Sequence, residues 1–162
     1  MRLPLPLTVF VVLAFASQLG ITQQRDENEI VFVGERDPEM VAAIRQARAG
    51  LDEFLKLAEK PPTGVSDLKL KVMVSDQNGT EHFWVSPFQS VGDKFEGTLA
   101  NEPRVVRSVR NGQLIAFTRG EISDWGYVRN GRQVGSFTVC VLLRKVPKEQ
   151  AEYYRKNHGF DC

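Results

Sequence analysis

Asn-Gly occurs three times in this chain, at Asn78-Gly79, Asn111-Gly112 and Asn130-Gly131. The pair suits the tight turns that join antiparallel strands, because both residues tolerate positive φ. Around the first pair, Leu68, Leu70, Val72 and Val74 alternate with Lys69, Lys71 and Met73, and the returning run is EHFWVSPF at 81–88. A period of two is the mark of a half-buried strand. Lys94 to Leu99 follows a turn at Val91-Gly92-Asp93. QLIAFT at 113–118 follows the second pair, and Glu121 to Val128 leads into the third. Gly135 to Leu143 is the most apolar run and is expected as a central strand.

Helices are expected at both ends of this strand-rich stretch. Asp37 is suited to cap, Pro38 to the first helical position, and Glu39 to the positive end of the dipole. Met40, Val41, Ile44, Ala47, Leu51, Phe54, Leu55 and Ala58 then recur on one face, predicting one long helix that Pro61-Pro62 ends. Arg45, Arg48, Asp52, Lys56 and Lys60 form its solvated face. A short helix opens at Pro147 and stops at Gly159. The expected fold is therefore α+β: a twisted, mostly antiparallel sheet, with a long N-terminal and a short C-terminal helix packed on one face. Its 162 residues suit one domain, expected over 37–162.

Residues 1–16 have a different character. Arg2 precedes a mostly apolar run from Leu7 to Phe15, and Ala14-Phe15-Ala16 offers a small-x-small cleavage site. That order predicts a removed signal peptide, since the run falls short of the roughly 18 residues a bilayer span needs. No stable membrane insertion is expected after its removal. Residues 17–36 are expected as a polar spacer with a short strand at Ile30 to Val33. Of 21 basic residues only Arg2 leaves with the signal, so 20 remain against 20 acidic ones. A balanced, exported chain lacks the basic excess that binds nucleic acid through counterion release, so nucleic acid is not an expected partner. A periplasmic or secreted location is expected. In that setting Cys140 and Cys162 are expected as a disulfide, stapling the C-terminal tail to the sheet and adding roughly 3 kcal/mol by chain entropy.

The chemistry-bearing residues are few. His82 and Trp84 share one face of their strand, and Trp125 and Tyr127 share one face of theirs, with Asp124 on the reverse. Clustered Trp and Tyr supply rigid amphipathic contact area, although such rings also fill cores. Asp124, in SDWG, suits a bond to backbone amides in a turn. There is no Gly-x-Ser-x-Gly elbow, phosphate loop or HExxH spacing. No catalytic residue, metal ligand or cofactor is assigned.

EHFWV (81–85), FEGTLANEP (95–103), ISDWGYVRNGRQVGSFT (122–138), YRKNHGFDC (154–162) and the leading MVAAIRQARAGLDEFL (40–55) resemble the YegJ-like family, bacterial proteins built on domain of unknown function 2314. The resemblance implies a single small α+β domain, often exported, and carries over no catalytic residue. Its Glu-His-x-Trp and Asp-Trp-x-Tyr pieces are matched by Glu81, His82, Trp84, Asp124, Trp125 and Tyr127.

The leading expectation is a noncatalytic binding module, immunity-like or inhibitor-like in one version. Its protein or small-molecule ligand would sit in one groove near His82, Trp84, Trp125 and Tyr127, with polar contacts from Asn101 and Asp124. An envelope-acting hydrolase using Glu81 or Asp124, assisted by His82, is the first alternative. A structural envelope protein is the second.

Overall fold

The structure, a computed structural model, describes residues 37–162. The expected signal peptide, spacer and strand at Ile30 to Val33 lie outside the described residues. Six strands form one antiparallel sheet. They are β1 (Val65–Asp76), β2 (Gly79–Val91), β3 (Lys94–Leu99), β4 (Leu114–Phe117), β5 (Ile122–Arg129) and β6 (Arg132–Gly135), in the order β4-β3-β2-β1-β5-β6. Four helices accompany them: α1 (Pro38–Ala49), α2 (Leu51–Glu59), α3 (Phe137–Leu143) and α4 (Lys148–His158).

Asp37 caps α1 through its carboxylate, which accepts from the amides of Glu39 and Met40, and Pro38 opens the helix. The rod expected over this stretch is two helices that meet at Gly50. Gly50 sits against the Trp125 ring, where an added Cβ would lie 3.0 Å from the indole. The helix breaks where this aromatic side chain passes closest.

The sheet has two unlike faces. Leu70, Val72, Phe83, Val85, Leu99, Ile122, Trp125 and Tyr127 are buried on the core face. Phe54 of α2 stacks on Trp125 at 5.0 Å and lies 6.2 Å from Tyr127. Further along, Phe83 and Leu99 pack under Val106 of the 100–113 loop. The opposite face carries Lys69, Lys71, Met73, His82 and Trp84, all partly exposed.

The run from Gly135 to Leu143 is not a strand. β6 stops at Gly135, where φ is 77°, and Ser136 follows at φ 54°. Two consecutive left-handed residues turn the chain out of the ladder, and Phe137 starts α3. A short apolar run fits a buried helix as well as a buried strand, and periodicity does not separate them. Cys140 is therefore helical, and its disulfide to Cys162 ties the C-terminal tail to α3 rather than to the sheet. Closing a separation of 22 residues contributes about 3 kcal/mol in the chain-entropy treatment. α3 packs chiefly against α1, and only its first turn reaches around β5. Phe137 packs edge-on against Trp125 on the core face, while Thr138 bonds Asp124 on the other. The start of α3 thus straddles the edge of β5.

Candidate functional site

The hairpin between β1 and β2 sets the register of the outer face. Asp76 pairs with Gly79, so Lys71 falls opposite Trp84 and Met73 opposite His82. Lys71 also pairs with Asp124 of β5. A β-bulge follows, because Val72 pairs with Ile122 and Ser123 is the extra residue. It lets two consecutive residues, Ser123 and Asp124, serve the outer face, while Ile122 and Trp125 both serve the core.

Trp84 is the centre of this face. Its ring has the Lys71 ammonium 5.1 Å from the centroid and the Lys69 ammonium 5.4 Å away. Cations over an indole face are attracted by its quadrupole. Lys69 is also paired with Asp67. Asn101 anchors the backbone beneath: its Oδ1 accepts from the Trp84 amide at 2.9 Å, and the Ala100 amide donates to the Trp84 carbonyl. Next along β2, His82 Nδ1 lies 2.8 Å from Ser123 Oγ. The same serine hydroxyl lies 3.2 Å from the Lys71 carbonyl, so it links the His82 ring to the β1 backbone.

Asp124 is wholly buried and collects donors. Its carboxylate accepts from the amides of Trp125 (2.8 Å), Phe137 (3.2 Å) and Thr138 (2.8 Å), and from the Thr138 hydroxyl (2.6 Å). Lys71 Nζ in turn donates to that hydroxyl at 3.0 Å. Burial pushes the Asp124 carboxyl up, with Lys71 and the Thr138 donors pulling back, and it pushes the Lys71 ammonium down, with Asp124 pulling back. The expected role in binding backbone amides covers only part of what this carboxylate holds. Asp124 does bind a local backbone amide, that of Trp125, but it also binds those of α3's first residues, brought from 13 and 14 positions away.

The expected groove divides between the two faces. His82, Trp84 and Asp124 belong to the outer face. Trp125 and Tyr127 belong to the core, because Trp125 pairs with Leu70 and stands beside Val85, not Trp84. The Trp125 indole N–H donates to the Ala47 carbonyl at 2.7 Å, which closes the one polar end of that side chain. Of the two carboxylates in the hydrolase reading, Asp124 shares the outer face with His82 and Glu81 does not. Glu81 alternates with Phe83 toward the core side, where its carboxylate accepts from the amides of Arg104, Val105 and Val106. Glu81 and Asp124 therefore lie on opposite faces, each committed to backbone. Among the described residues, no cluster of three or more His, Cys, Asp or Glu is placed to hold a metal. An open cleft lined by Arg48, Leu51, Arg119 and Gly120 includes none of the six expected site residues.

Sequence reasoning missed Lys69, Lys71, Ser123 and Thr138. The two lysines were within reach, since counting back from Asn78-Gly79 brings Lys71 to Trp84. Thr138 was not, since its role depends on α3. Also missed was the partnership of Asp76 with Glu81. Asp76 accepts from the amides of Arg107 and Ser108, so the two carboxylates together hold five successive amides, 104–108. The Arg107 amide first, then those of Asn78 and Ser108, lower the Asp76 pKa from 3.8 to about 2. A depressed folded-state pKa means stabilisation present above 3.8 and lost as the pH falls through about 2. Acidification across that window is expected to release Arg107 and Ser108 from Asp76, read as loss of exchange protection at their two amides. Unchanged amides, with Asp76 titrating near 3.8, would contradict the assignment.

A single antiparallel sheet with its aromatic core on one face and a lysine-flanked tryptophan on the other defines a small α+β domain. The chain belongs to the family described as "Uncharacterized protein conserved in bacteria (DUF2314)", whose model matches residues 37–162. It is 31% identical over 143 residues to the uncharacterized protein YegJ of Escherichia coli (strain K12), covering 88% of this chain and 91% of that protein. It is 30% identical over 81 residues to a putative ankyrin repeat protein of Neisseria meningitidis serogroup B, covering 50% of this chain and 32% of that one. No solved structure matches. Among the described residues, no helix is long and apolar enough to cross a membrane.

Proposed function

We propose that this protein is an exported, noncatalytic binding module that holds a protein segment or small ligand against the outer face of its sheet, around Trp84 and His82. The observation that carries this reading is the setting of Trp84. The ring is partly exposed at mid-strand, on the face opposite the Phe54–Trp125 stack, and its backbone is pinned by Asn101. Two lysine ammonium groups lie over the ring and fix its orientation. A pre-positioned indole loses little entropy on contact, which is why Trp recurs as an interface anchor. The disulfide favours an oxidising compartment, in line with the signal-like segment.

The test is capture of a partner from an envelope extract by the oxidised protein, followed by titration of that partner. Trp84→Ala is expected to weaken binding by about 30-fold or more, the effect of losing an anchor worth about 2 kcal/mol, with the unfolding midpoint little changed. Equal affinity for wild type and Trp84→Ala would remove the outer face from consideration.

A further inference from the structure

β4 is an edge strand, and apart from its four-residue length it lacks the usual protection of one. Among the described residues nothing pairs with its outer side. Its pairing with β3 runs without a bulge from Phe95↔Phe117 to Thr98↔Leu114. Residues 112–118, GQLIAFT, hold no charge and no proline. Leu114 is 63% exposed, the highest value among the exposed large hydrophobic residues of the described chain, and Ala116 is exposed beside it. Natural edges are normally blunted by lysine, proline or a bulge, and an edge without them is a template for another strand.

The backbone shows which groups are available. The Leu99 amide donates to the Gln113 carbonyl, so Gln113 faces β3. Antiparallel alternation then turns Ile115 and Phe117 toward β3, and turns the N–H and C=O of Leu114 and Ala116 outward. We propose that this edge pairs with β4 of a second copy, antiparallel, about a twofold axis through Ile115. The side chains restrict the register, because only pairings that keep core face with core face are allowed. Centred on Ile115, the outer-face pairs are Leu114 with Ala116 of the second copy, and Ala116 with Leu114 of the second copy. Large meets small both times. The same two residues are those whose amides and carbonyls point outward, so each pair exchanges two hydrogen bonds and the dimer gains four. Neither strip carries charge, so two copies meet without repulsion, whereas a charged foreign peptide would find no counter-ion on this strip. Four paired residues bury less than the ~1,200 Å² typical of stable complexes, so the dimer is reversible.

Sedimentation equilibrium of the full chain across a concentration series tests this, together with exchange rates of the Leu114 and Ala116 amides. The expected result is a monomer–dimer equilibrium, with both amides slowing as the dimer forms. Ala116→Pro removes only an outward N–H, a change an edge strand tolerates, and it deletes two of the four bonds. It is expected to raise the dimer dissociation constant at least tenfold while the monomer stays folded. Leu114→Lys, on an exposed position, is expected to do the same by setting a lysine near its symmetry mate. A monomer at every concentration would overturn the proposal. So would slow Leu114 and Ala116 amides in a monomer, which would mean that the chain covers its own edge. A dimer indifferent to both substitutions would place the contact elsewhere and overturn it as well.

Discussion

Asp124→Ala is expected to lower the unfolding free energy by about 4 kcal/mol, the cost of removing one partner from a buried charged cluster. The size follows from what is left behind. Four donors converge on this carboxylate: three amides and the Thr138 hydroxyl. Alanine strands at least the Thr138 amide and hydroxyl in a buried place, at about 1–3 kcal/mol for each unsatisfied group, and it leaves the Lys71 ammonium beside them without its counter-charge. The loss also has a direction in space. The first amides of α3 have no carbonyl partners within the helix, and Asp124 supplies what a helix cap normally would. Ser136, at the cap position, makes no such bond. The variant is therefore expected to expose α3 first, seen as faster exchange in 137–143 before global unfolding in urea. Asp124→Asn keeps one acceptor oxygen but turns an N–H₂ group toward donors, so it is expected to cost about half as much. A double-mutant cycle with Lys71→Met isolates the charge coupling from the hydrogen bonds. If Asp124→Ala cost less than about 1 kcal/mol, the carboxylate would not be what holds α3 to the sheet.

How far the sequence reaches here depends on how local each determinant is. The turns at 78–79, 111–112 and 130–131 are local, and β1, β2, β4, β5 and β6 end or begin beside them. The β1–β2 register comes from the first turn alone, and with it the Lys71–Trp84 pair. The β1–β5 register is different. These strands are joined through three others, no turn sets their offset, and a bulge at Ser123 shifts it by one residue. That offset decides whether Trp125 stands beside Trp84 or beside Val85, so a shared aromatic groove looked as reasonable as a split one. The 135–143 run fails for another reason. Its apolar residues are long enough for a strand and for two helical turns, and the choice is made by left-handed Ser136 and by Asp124, which no local pattern near 137 reveals.

The two tryptophans consequently give opposite results when truncated, and the second large effect belongs to Trp125. Trp125→Ala is expected to cost about 4 kcal/mol, within the ~3–5 kcal/mol typical of emptying a large aromatic site. Three contributions point the same way. The ring stacks on Phe54 and meets Phe137 edge-on, so its loss opens a cavity between α2, β5 and α3. Its indole N–H is bonded to the Ala47 carbonyl near the end of α1, and that acceptor is left with only the longer bond from the Gly50 amide. The closest backbone approaches, at Gly50 and Gly135, are shaped around this ring, where an added Cβ would come within 3.0 and 2.6 Å of ring atoms. Trp125→Phe separates the parts: it retains most of the stacking and removes the N–H, and is expected to cost about 1–2 kcal/mol. Trp84→Ala, on the partly exposed face, is expected to cost about 1 kcal/mol or less in the same urea experiment. Comparable losses from Trp84→Ala and Trp125→Ala would mean that both rings are structural, and the outer face would then have no spare aromatic to offer a ligand.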